Sequence, residues 1–566
     1  MRDRLNLGSI TMKRQVIILI TVALYVKCDI SNSSAYPQKA ARHRQAYAAD
    51  QILVKLRLNA IIDKDQIQVA EAVLPTRSTR AERLSPKDED DTYVIHLRGN
   101  VTAEEAIAEA RRDPRVEYAE PNYLYYPADT IPNDGFFDQM WGLQNSFNGH
   151  GIGAARAWDI TTGADDVVAA VLDTGIDLSH EDLVPNSWVN PFELPGNGID
   201  DDGNGYVDDI NGWNFLSNGN QVFANAQEDF HGTHVAGTIG GAGNNGIGIV
   251  GVAWHVRLMS LKFMGRRTDG TIGGSTADAV RAIKYAIDLK NRGINIRAIN
   301  ASWSGTSASE TLRSAIRKAG KVGILFVCAA GNGGTDGRGD DIDEFPEFPA
   351  AWNSEMNSLI SVTALNSSGS LESFSNYGHN AVSVGAPGVS IISTLPGNSY
   401  GYLSGTSMAT PHVTGISILL ASHEPELSAA QIKQRIVSAA EPVLTLACRS
   451  VSAGNANAHN TLLNRISVPQ GPAINRVQSS KKVLTIDGLG FFSGSSVIEI
   501  NGVAVTDAEY SYDASYALAS GTFTRLEVRL GKPRMKEVFP SGQSLTVAVY
   551  NPTTGQRSAS VNHVRF

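Results

Sequence analysis

The sequence predicts an α/β fold with a mainly parallel sheet covered by helices on both faces. A small α+β unit precedes it and a β-sandwich follows. Three observations support this prediction. Apolar strand-like runs alternate with helical segments through the middle of the chain, as in a parallel sheet with helices on both faces. A shorter mixture of strands and one helix comes before this region. Short alternating strands separated by turn residues come after it.

The composition sets the size and class of the protein. With 566 residues the chain has room for three or four domains of about 150 residues each. The hydrophobic fraction of 42% can supply a large core, and the net charge of −9 argues against a nucleic-acid partner. Three cysteines, Cys28, Cys328 and Cys448, are too few for a disulfide-held scaffold. We expect a monomer.

Residues 1–35 are predicted to be a secretory signal, so the mature protein is expected to be extracellular. Basic residues Lys13 and Arg14 precede an apolar run from Val16 to Val26. That run is shorter than the roughly 20 residues that a membrane-spanning helix needs. An uncleaved membrane anchor is the lesser alternative. After signal removal we expect no stable membrane insertion.

Residues 36–50 are polar and basic and are predicted to be a linker. Residues 51–130 then show an α+β pattern with strands at 51–58, 93–97 and 116–123 and a helix at 101–112. Pro121 restricts the last of these strands to a sheet edge. The charged stretch from Thr76 to Asp91 is predicted to be a loose loop.

Residues 131–465 carry the alternation of strands and helices. Predicted strands end at Asp173, near Lys262, at Ser302 and at Ala330. In an open parallel sheet, ligands bind beyond the carboxyl ends of the strands. We therefore expect the functional side chains at this edge, with Asp173 among them.

The stretch from Gly405 to Leu420 predicts a helix with a serine at its start. Because a proline is tolerated in a first helical turn, Pro411 places the helix start near Thr406 and Ser407. A helix N-terminus favours the negative charge that develops on a carbonyl oxygen under attack. Serine is also common there as a cap. Two upstream motifs favour catalysis, Asp173 after a buried strand and His231 in His-Gly-Thr-His.

The order Asp, His, Ser is that of one known catalytic triad, and the three motifs resemble those of the subtilases, the thermitase branch in particular. The resemblance covers Asn133 to Leu463. It implies that Ser407 is the nucleophile, His231 its general base and Asp173 the residue that orients the imidazole. It also implies that the Asn332 amide binds the oxyanion. The second histidine, His234, is expected to be structural.

An extended peptide substrate is expected to add as a strand between two chain segments. The predicted substrate-binding residues are Ser302, Trp303, Ser304 and Gly305 on one side and Gly270 on the other, with Gly331 beside the pocket. The glycines leave room for the residue before the scissile bond. Trp303 offers an apolar wall, which predicts broad specificity with an apolar or aromatic preference.

The stretch from Asp200 to Asp208 resembles an EF-hand-type loop and predicts a calcium site. Oxygen donors fall at the required loop positions: Asp200, Asp202, Asn204, Tyr206 through its carbonyl, and Asp208. Asn211 stands where the bidentate glutamate is usual, so Asp209 is the expected substitute. The alternative is a solvated acidic turn.

A second calcium site is implied by the subtilase resemblance. Its side-chain ligands are Asp134, Asp182 and Asn245, and the loop from Ala242 to Ile249 adds carbonyl oxygens. The resemblance also extends to residues 51–130, which are similar to subtilase propeptides. This implies a ferredoxin-like unit that aids folding, inhibits the enzyme and is removed by self-cleavage between Tyr123 and Asn133.

Residues 466–566 contain predicted strands at 482–486, 497–500, 526–529 and 545–549. Together with glycine-containing turns they resemble an IPT/TIG immunoglobulin-like domain.

The sequence as a whole leaves two functions to consider. One is a secreted, calcium-stabilised serine endopeptidase that acts on polypeptides and is made as a self-processing zymogen. The other is a catalytically silent subtilase-fold protein that binds or adheres through its C-terminal domain. The four filled catalytic positions favour the enzyme.

Overall fold

A computed structural model describes residues 47–57, 73–84, 91–98, 101–123, 130–144, 150–267, 270–469, 471–493, 496–530, 532–551 and 556–564. The predicted signal with Cys28 lies outside these residues, as do residues 124–129 of the predicted processing stretch. Contacts divide the chain into two compact units, of which one is Ser34–Ala128 and the other contains Asp129–Phe566.

The first unit is a four-stranded antiparallel sheet packed against a helix, in the order β2-β3-β1-β4. Its elements are β1 (Tyr47–Leu56), β2 (Ser78–Arg83), β3 (Thr92–Leu97), α1 (Ala103–Ala110) and β4 (Val116–Tyr123). The order and directions are those of a ferredoxin-like sheet, and Pro121 lies on an edge strand as predicted. Alternate residues Ile52, Val54 and Leu56 are buried in a core shared with α1.

Two predictions for this unit were wrong. Strand β2 lies within the stretch predicted as a loose loop, and β1 begins at Tyr47, inside the predicted linker. Strand β2 buries only Ser78 and Ala81 among its six residues. It therefore lacks the apolar alternation that identifies a strand from sequence.

The second unit is built on a nine-stranded sheet in the order β16-β17-β13-β12-β11-β10-β5-β7-β6. Every neighbouring pair is parallel except β16 with β17. The strands are β5 (Gly163–Asp173), β6 (Gly212–Asn214), β7 (His255–Lys262), β10 (Ile296–Ala301), β11 (Leu325–Ala329), β12 (Leu359–Leu365), β13 (Val384–Pro387), β16 (Glu441–Pro442) and β17 (Gly454–Asn455). Two short hairpins lie outside the sheet: β8 (Met264–Arg266) with β9 (Ile272–Gly274), and β14 (Ile391–Leu395) with β15 (Ser399–Leu403).

Helices cover both faces of this sheet, which confirms the predicted α/β architecture. They are α2 (Ala154–Ala157), α3 (Phe230–Gly240), α4 (Thr276–Asn291), α5 (Glu310–Lys321), α6 (Thr406–His423), α7 (Ala429–Ala439) and α8 (Ala458–Leu462). Alternate residues of β5 enter different cores: Val171 packs with α3 and α6, whereas Leu172 packs with α4 and α5. Strand β5 lies between β7 and β10, so the chain adds strands first on one side of β5 and then on the other.

The C-terminal strands form two antiparallel sheets that share one core. One sheet contains β18 (Ala473–Ser479), β19 (Val483–Phe491), β23 (Phe523–Arg529) and β22 (Glu509–Ser511). The other contains β21 (Val503–Ala504), β20 (Val497–Ile500), β24 (Ser544–Asn551), β25 (Gln556–Arg557) and β26 (Val561–Val564). An unpredicted helix, α9 (Lys532–Val538), adds Met535 to the core.

These sheets are attached to the α/β region by specific contacts. The Tyr516 ring stacks on His379 with 4.3 Å between ring centroids, and the Cys448 thiol donates to the Thr524 carbonyl over 3.1 Å. Cys328 and Cys448 are both free thiols. None of the helices in the described ranges has the length and apolarity to cross a membrane.

Candidate active site

Asp173 ends strand β5 and is fully buried. Its Oδ1 accepts hydrogen bonds from the backbone N–H of Thr174 over 2.7 Å and from Nδ1 of His231 over 2.8 Å. Because a carboxylate only accepts hydrogen bonds, His231 must carry a proton on Nδ1. Its Nε2 is then left with the lone pair that a general base needs.

His231 is the second residue of α3, and its side chain is 23% exposed. Burial alone would lower the pKa of this imidazole, but the charge and the hydrogen bond of Asp173 outweigh burial and raise the pKa above its ordinary value. His234, one turn later, is fully buried and its Nε2 lies 2.9 Å from the Ile391 carbonyl. Burial lowers the pKa of His234 to about 3, which keeps it neutral.

A buried ion pair that the sequence analysis missed lies beside Asp173 and His231. Lys262 is opposite Asp173 in the β5–β7 register. Its Nζ donates to Oδ1 of Asp229 over 2.5 Å and also to the Thr174 carbonyl. The two side chains are 2% and 0% exposed. Lys262 thus connects the residue after Asp173 to the residue before α3. In the sequence, the signal for this ion pair was a lysine at the end of an apolar strand.

Ser407 is the second residue of α6, which begins at Thr406 as predicted. Its hydroxyl donates to the Ser302 carbonyl over 3.0 Å. No hydrogen bond joins it to His231 among the described residues in this side-chain conformation. Ser302 directly follows β10, the neighbour of β5, so Ser407 lies over the strand end adjacent to that of Asp173.

Pro411 lies in the second turn of α6, beyond the first turn in which the sequence analysis placed it. A proline has no N–H, so the Ser407 carbonyl four residues earlier loses its helical partner. The Ser302 hydroxyl donates to that carbonyl instead, over 2.8 Å. A strand end of the sheet therefore supplies the hydrogen bond that the proline removes.

Asn332 follows β11 and is oriented by Thr406. The backbone N–H and the hydroxyl of Thr406 donate to its Oδ1 over 2.8 and 3.0 Å. Because Oδ1 is occupied by these donors, Nδ2 is the group of this side chain that remains to donate. The Ser407 N–H belongs to the first helical turn, whose N–H groups have no intrahelical acceptor. Asn332 Nδ2 and the Ser407 N–H lie near one another, since a Cβ atom on Gly405 would be 3.5 Å from the first nitrogen and 3.7 Å from the second.

The predicted substrate-binding residues are placed differently from one another. Gly270 lies in the turn between β8 and β9, with φ of +84°. Trp303 is partly buried, with its indole N–H bonded to the Leu172 carbonyl and its ring packed on Phe263. Its side chain therefore supports the core more than it walls a pocket.

Gly305 cannot pair with a substrate backbone in the way the sequence analysis expected. Its N–H and carbonyl are both bonded to Phe348, over 2.9 and 2.8 Å. Within the predicted edge, Ser304 is exposed, and its backbone N–H and carbonyl have no backbone partner among the described residues. The same pairing brings Glu347, which sequence reasoning missed, to Ser304, whose hydroxyl donates to its Oε2 over 2.5 Å.

The acidic loop brings together part of the predicted calcium-binding set. Oxygen atoms of Glu193, Asp200 and Asp202 lie within 4.8 Å of one another. Glu193, which is buried, stands seven positions before the loop motif and has no spacing that identifies it from sequence. The Asn204 side chain contacts Asp202, with Nδ2 3.1 Å from Oδ2.

The other predicted members of this site are bonded mainly to other residues, although Asp209 also accepts the Asn204 side-chain amide over 2.9 Å. Both carboxylate oxygens of Asp208 accept backbone N–H groups, from residues 197 and 198. Asp209 is fully buried, and Tyr285 donates to its Oδ2 over 2.7 Å. Burial raises the pKa of Asp209 to about 6. The Tyr206 ring packs against Tyr285 and Trp213.

Asp134, Asp182 and Asn245, the second predicted set, lie together. Asn245 Nδ2 donates to Oδ1 of Asp182 over 2.8 Å, and the Asn244 N–H donates to Oδ2 of Asp134 over 2.7 Å. Both carboxylates are buried, and burial raises the pKa of each. Oδ1 of Asp134 is buried with no hydrogen-bond donor among the described residues. Buried carboxylates with an unpartnered oxygen fit a bound cation.

Comparison with known proteins identifies the family. The model of the Subtilase family matches residues 164–478, more than half of the chain. The chain belongs to the subtilase family. Residues 34–122 match the fervidolysin N-terminal prodomain, so this subtilase carries a prodomain ahead of its catalytic region.

Curated relatives are serine proteases. The thermophilic serine proteinase of Bacillus sp. (strain AK1) is 33% identical over 385 residues, covering 68% of this chain and 80% of that protein. Subtilisin E of Bacillus subtilis (strain 168) is 34% identical over 342 residues, covering 60% and 73%. A solved protease of Pseudoalteromonas arctica PAMC 21717 is 28% identical, with a TM-score of 0.45 and coverage of 59% and 98%. This subtilase is a serine endopeptidase, and its prodomain implies peptide substrates and inhibition by its own propeptide.

Proposed function

We propose that this subtilase is a secreted endopeptidase that hydrolyses peptide bonds through Asp173, His231 and Ser407 and matures by removing its own prodomain. The observation that carries the proposal is the 2.8 Å hydrogen bond between buried Asp173 and His231 at the carboxyl edge of the sheet. Ser407 stands over the adjacent strand end.

The chemistry follows from these positions. Ser407 Oγ turns from the Ser302 carbonyl to His231 Nε2, which takes its proton as Oγ attacks the substrate carbonyl. Asp173 holds the imidazole and stabilises the imidazolium that forms. Asn332 Nδ2 and the Ser407 N–H donate to the oxyanion. His231 then returns its proton to the leaving amine, and water hydrolyses the acyl-enzyme.

We propose calcium as the cofactor at two sites. Asp134 and Asp182, with Asn245 beside them, would hold one ion between the N-terminal segment of the catalytic region and the loop at 242–249. Glu193, Asp200 and Asp202 would hold the other. Calcium prefers such oxygen ligands and would neutralise carboxylates that otherwise repel one another.

We also propose that the protein belongs to the thermitase branch and that its C-terminal sheets form an IPT/TIG-like domain. Two antiparallel sheets around a shared core support the second. We also propose that prodomain removal occurs between Tyr123 and Asn133.

The test compares wild-type precursor with Ser407→Ala, both expressed at full length with calcium. Wild type should shorten by roughly the size of the prodomain and react with a fluorophosphonate, which labels activated serines. Ser407→Ala should accumulate at full length without label. A folded wild-type protein that neither shortens nor reacts would refute the proposal and leave a binding protein as the alternative.

A further inference from the structure

Glu347 places a carboxylate between the two segments that surround the nucleophile. Its Oε2 accepts the Ser304 hydroxyl over 2.5 Å. On the other side it lies against Gly331, where a Cβ atom would come within 2.4 Å of the same oxygen. The residue is partly exposed.

Both neighbours of this carboxylate are close to the reacting atoms. Gly331 directly precedes Asn332, and its N–H donates to the Thr406 hydroxyl over 3.2 Å. Ser304 is two residues after Ser302, whose carbonyl accepts the Ser407 hydroxyl. A substrate side chain that enters between these segments, next to the scissile bond, would therefore lie beside Glu347.

The position of Glu347 is fixed by the backbone. The paired hydrogen bonds between Gly305 and Phe348, over 2.9 and 2.8 Å, hold the segment of Glu347 against the substrate edge. The Glu347 carbonyl also accepts the N–H of Ala351 over 2.7 Å, which begins the turn that follows. The carboxylate therefore stays beside Ser304 without needing a substrate.

Glu347 has no cationic partner among the described residues. No lysine, arginine or histidine of the described residues forms an ion pair with it, and its side-chain partner is the Ser304 hydroxyl. A negative charge in a partly enclosed pocket attracts a positive side chain and disfavours a negative or purely apolar one.

We propose that Glu347 makes this subtilase prefer lysine or arginine as the residue before the scissile bond. This inference rests on the proposed function of Ser407. The long methylene stem of either side chain packs along the glycine-lined walls, and its cationic head binds the Glu347 carboxylate. This replaces the apolar or aromatic preference expected from the sequence, which depended on Trp303 as a wall.

The test measures kcat/KM with fluorogenic peptides that differ only in the residue before the scissile bond. Lysine and norleucine are compared because they share the stem and differ in the charged head. Wild type should favour lysine by about 10- to 100-fold, the range for a hydrogen bond to a charged group. Glu347→Gln should reduce that ratio to near one, and added salt should reduce the wild-type ratio.

Glu344→Gln is the matched control, since it removes an exposed carboxylate from the same segment, three residues earlier. It should keep the lysine preference. An equal loss in both variants would show a general charge effect and overturn the inference, as would a wild-type preference for norleucine. All variants are counted by fluorophosphonate labelling, so a protein that does not label reports failure of the proposed function instead.

Discussion

Replacing Lys262 by methionine should destabilise the catalytic region strongly. The variant leaves the Asp229 carboxylate, which is 0% exposed, without its cation, and it also removes the donor to the Thr174 carbonyl. Burial already raises the pKa of Asp229 in the presence of Lys262. Removing one partner of a buried ion pair costs about 3–5 kcal/mol because an uncompensated charge remains. We expect a loss of that size in the free energy of unfolding.

Tryptophan fluorescence in urea measures this loss selectively. All seven tryptophans lie between residues 141 and 352, so the signal reports the catalytic region alone. The variants are made in a Ser407→Ala background to prevent self-digestion. Lys284→Met, at an exposed position of α4, is the control and should change stability by no more than about 0.5 kcal/mol.

A double variant separates the lost charge pair from lost packing. Lys262→Met with Asp229→Asn removes both charges, and replacing a whole buried pair is often close to neutral. It should recover at least half of the stability lost in the single variant. A single variant that loses less than about 1 kcal/mol would refute the reasoning, as would a double variant no better than the single one.

Two further predictions concern pH and calcium. Because Asp173 raises the pKa of His231 and only neutral imidazole is a base, kcat/KM should rise with pH through a midpoint above the ordinary value of about 6.5. Asp173→Asn should lower that midpoint and reduce kcat by about 10⁴-fold; a pH–rate profile whose acidic limb does not move would contradict this. Calcium at 100 times the Kd of the proposed Asp134–Asp182 site should stabilise the Ser407→Ala protein by about 2.7 kcal/mol through that site. Asp182→Asn should lose that gain in thermal melts and Asp138→Asn, an exposed change in the N-terminal segment, should keep it; equal gains in both would exclude this site.

The order of the main strands and helices could be read from the sequence because both faces of the sheet are buried. Strand β5 is apolar at every position from Val167 to Leu172, and both sets of alternate residues enter a core. Strand β2 was missed because its burial depends on neighbours that only the folded sheet supplies. Local pattern fails where tertiary contacts decide the conformation.

The residues of the candidate site also divide into those that a sequence motif identifies and those that it does not. Asp173, His231 and Ser407 occur in long motifs that keep their order, so their residues could be named in advance. Glu193 and Glu347 stand outside any motif. Each reaches its place through folding of the chain around it, Glu347 by the pairing of Gly305 with Phe348. The spacing of residues along the sequence does not predict such a contact.

The hydrogen bond from Ser302 to the Ser407 carbonyl has a mechanical consequence. Helix α6 is buried along almost its whole length, so its position along its axis has to match the hydrogen-bond partners that the sheet provides. Pro411 leaves the Ser407 carbonyl without a helical donor, and the Ser302 hydroxyl at the end of β10 donates to it instead. This hydrogen bond therefore helps to fix the axial position of the helix at the residue that carries the nucleophile, where an error in placement would matter most.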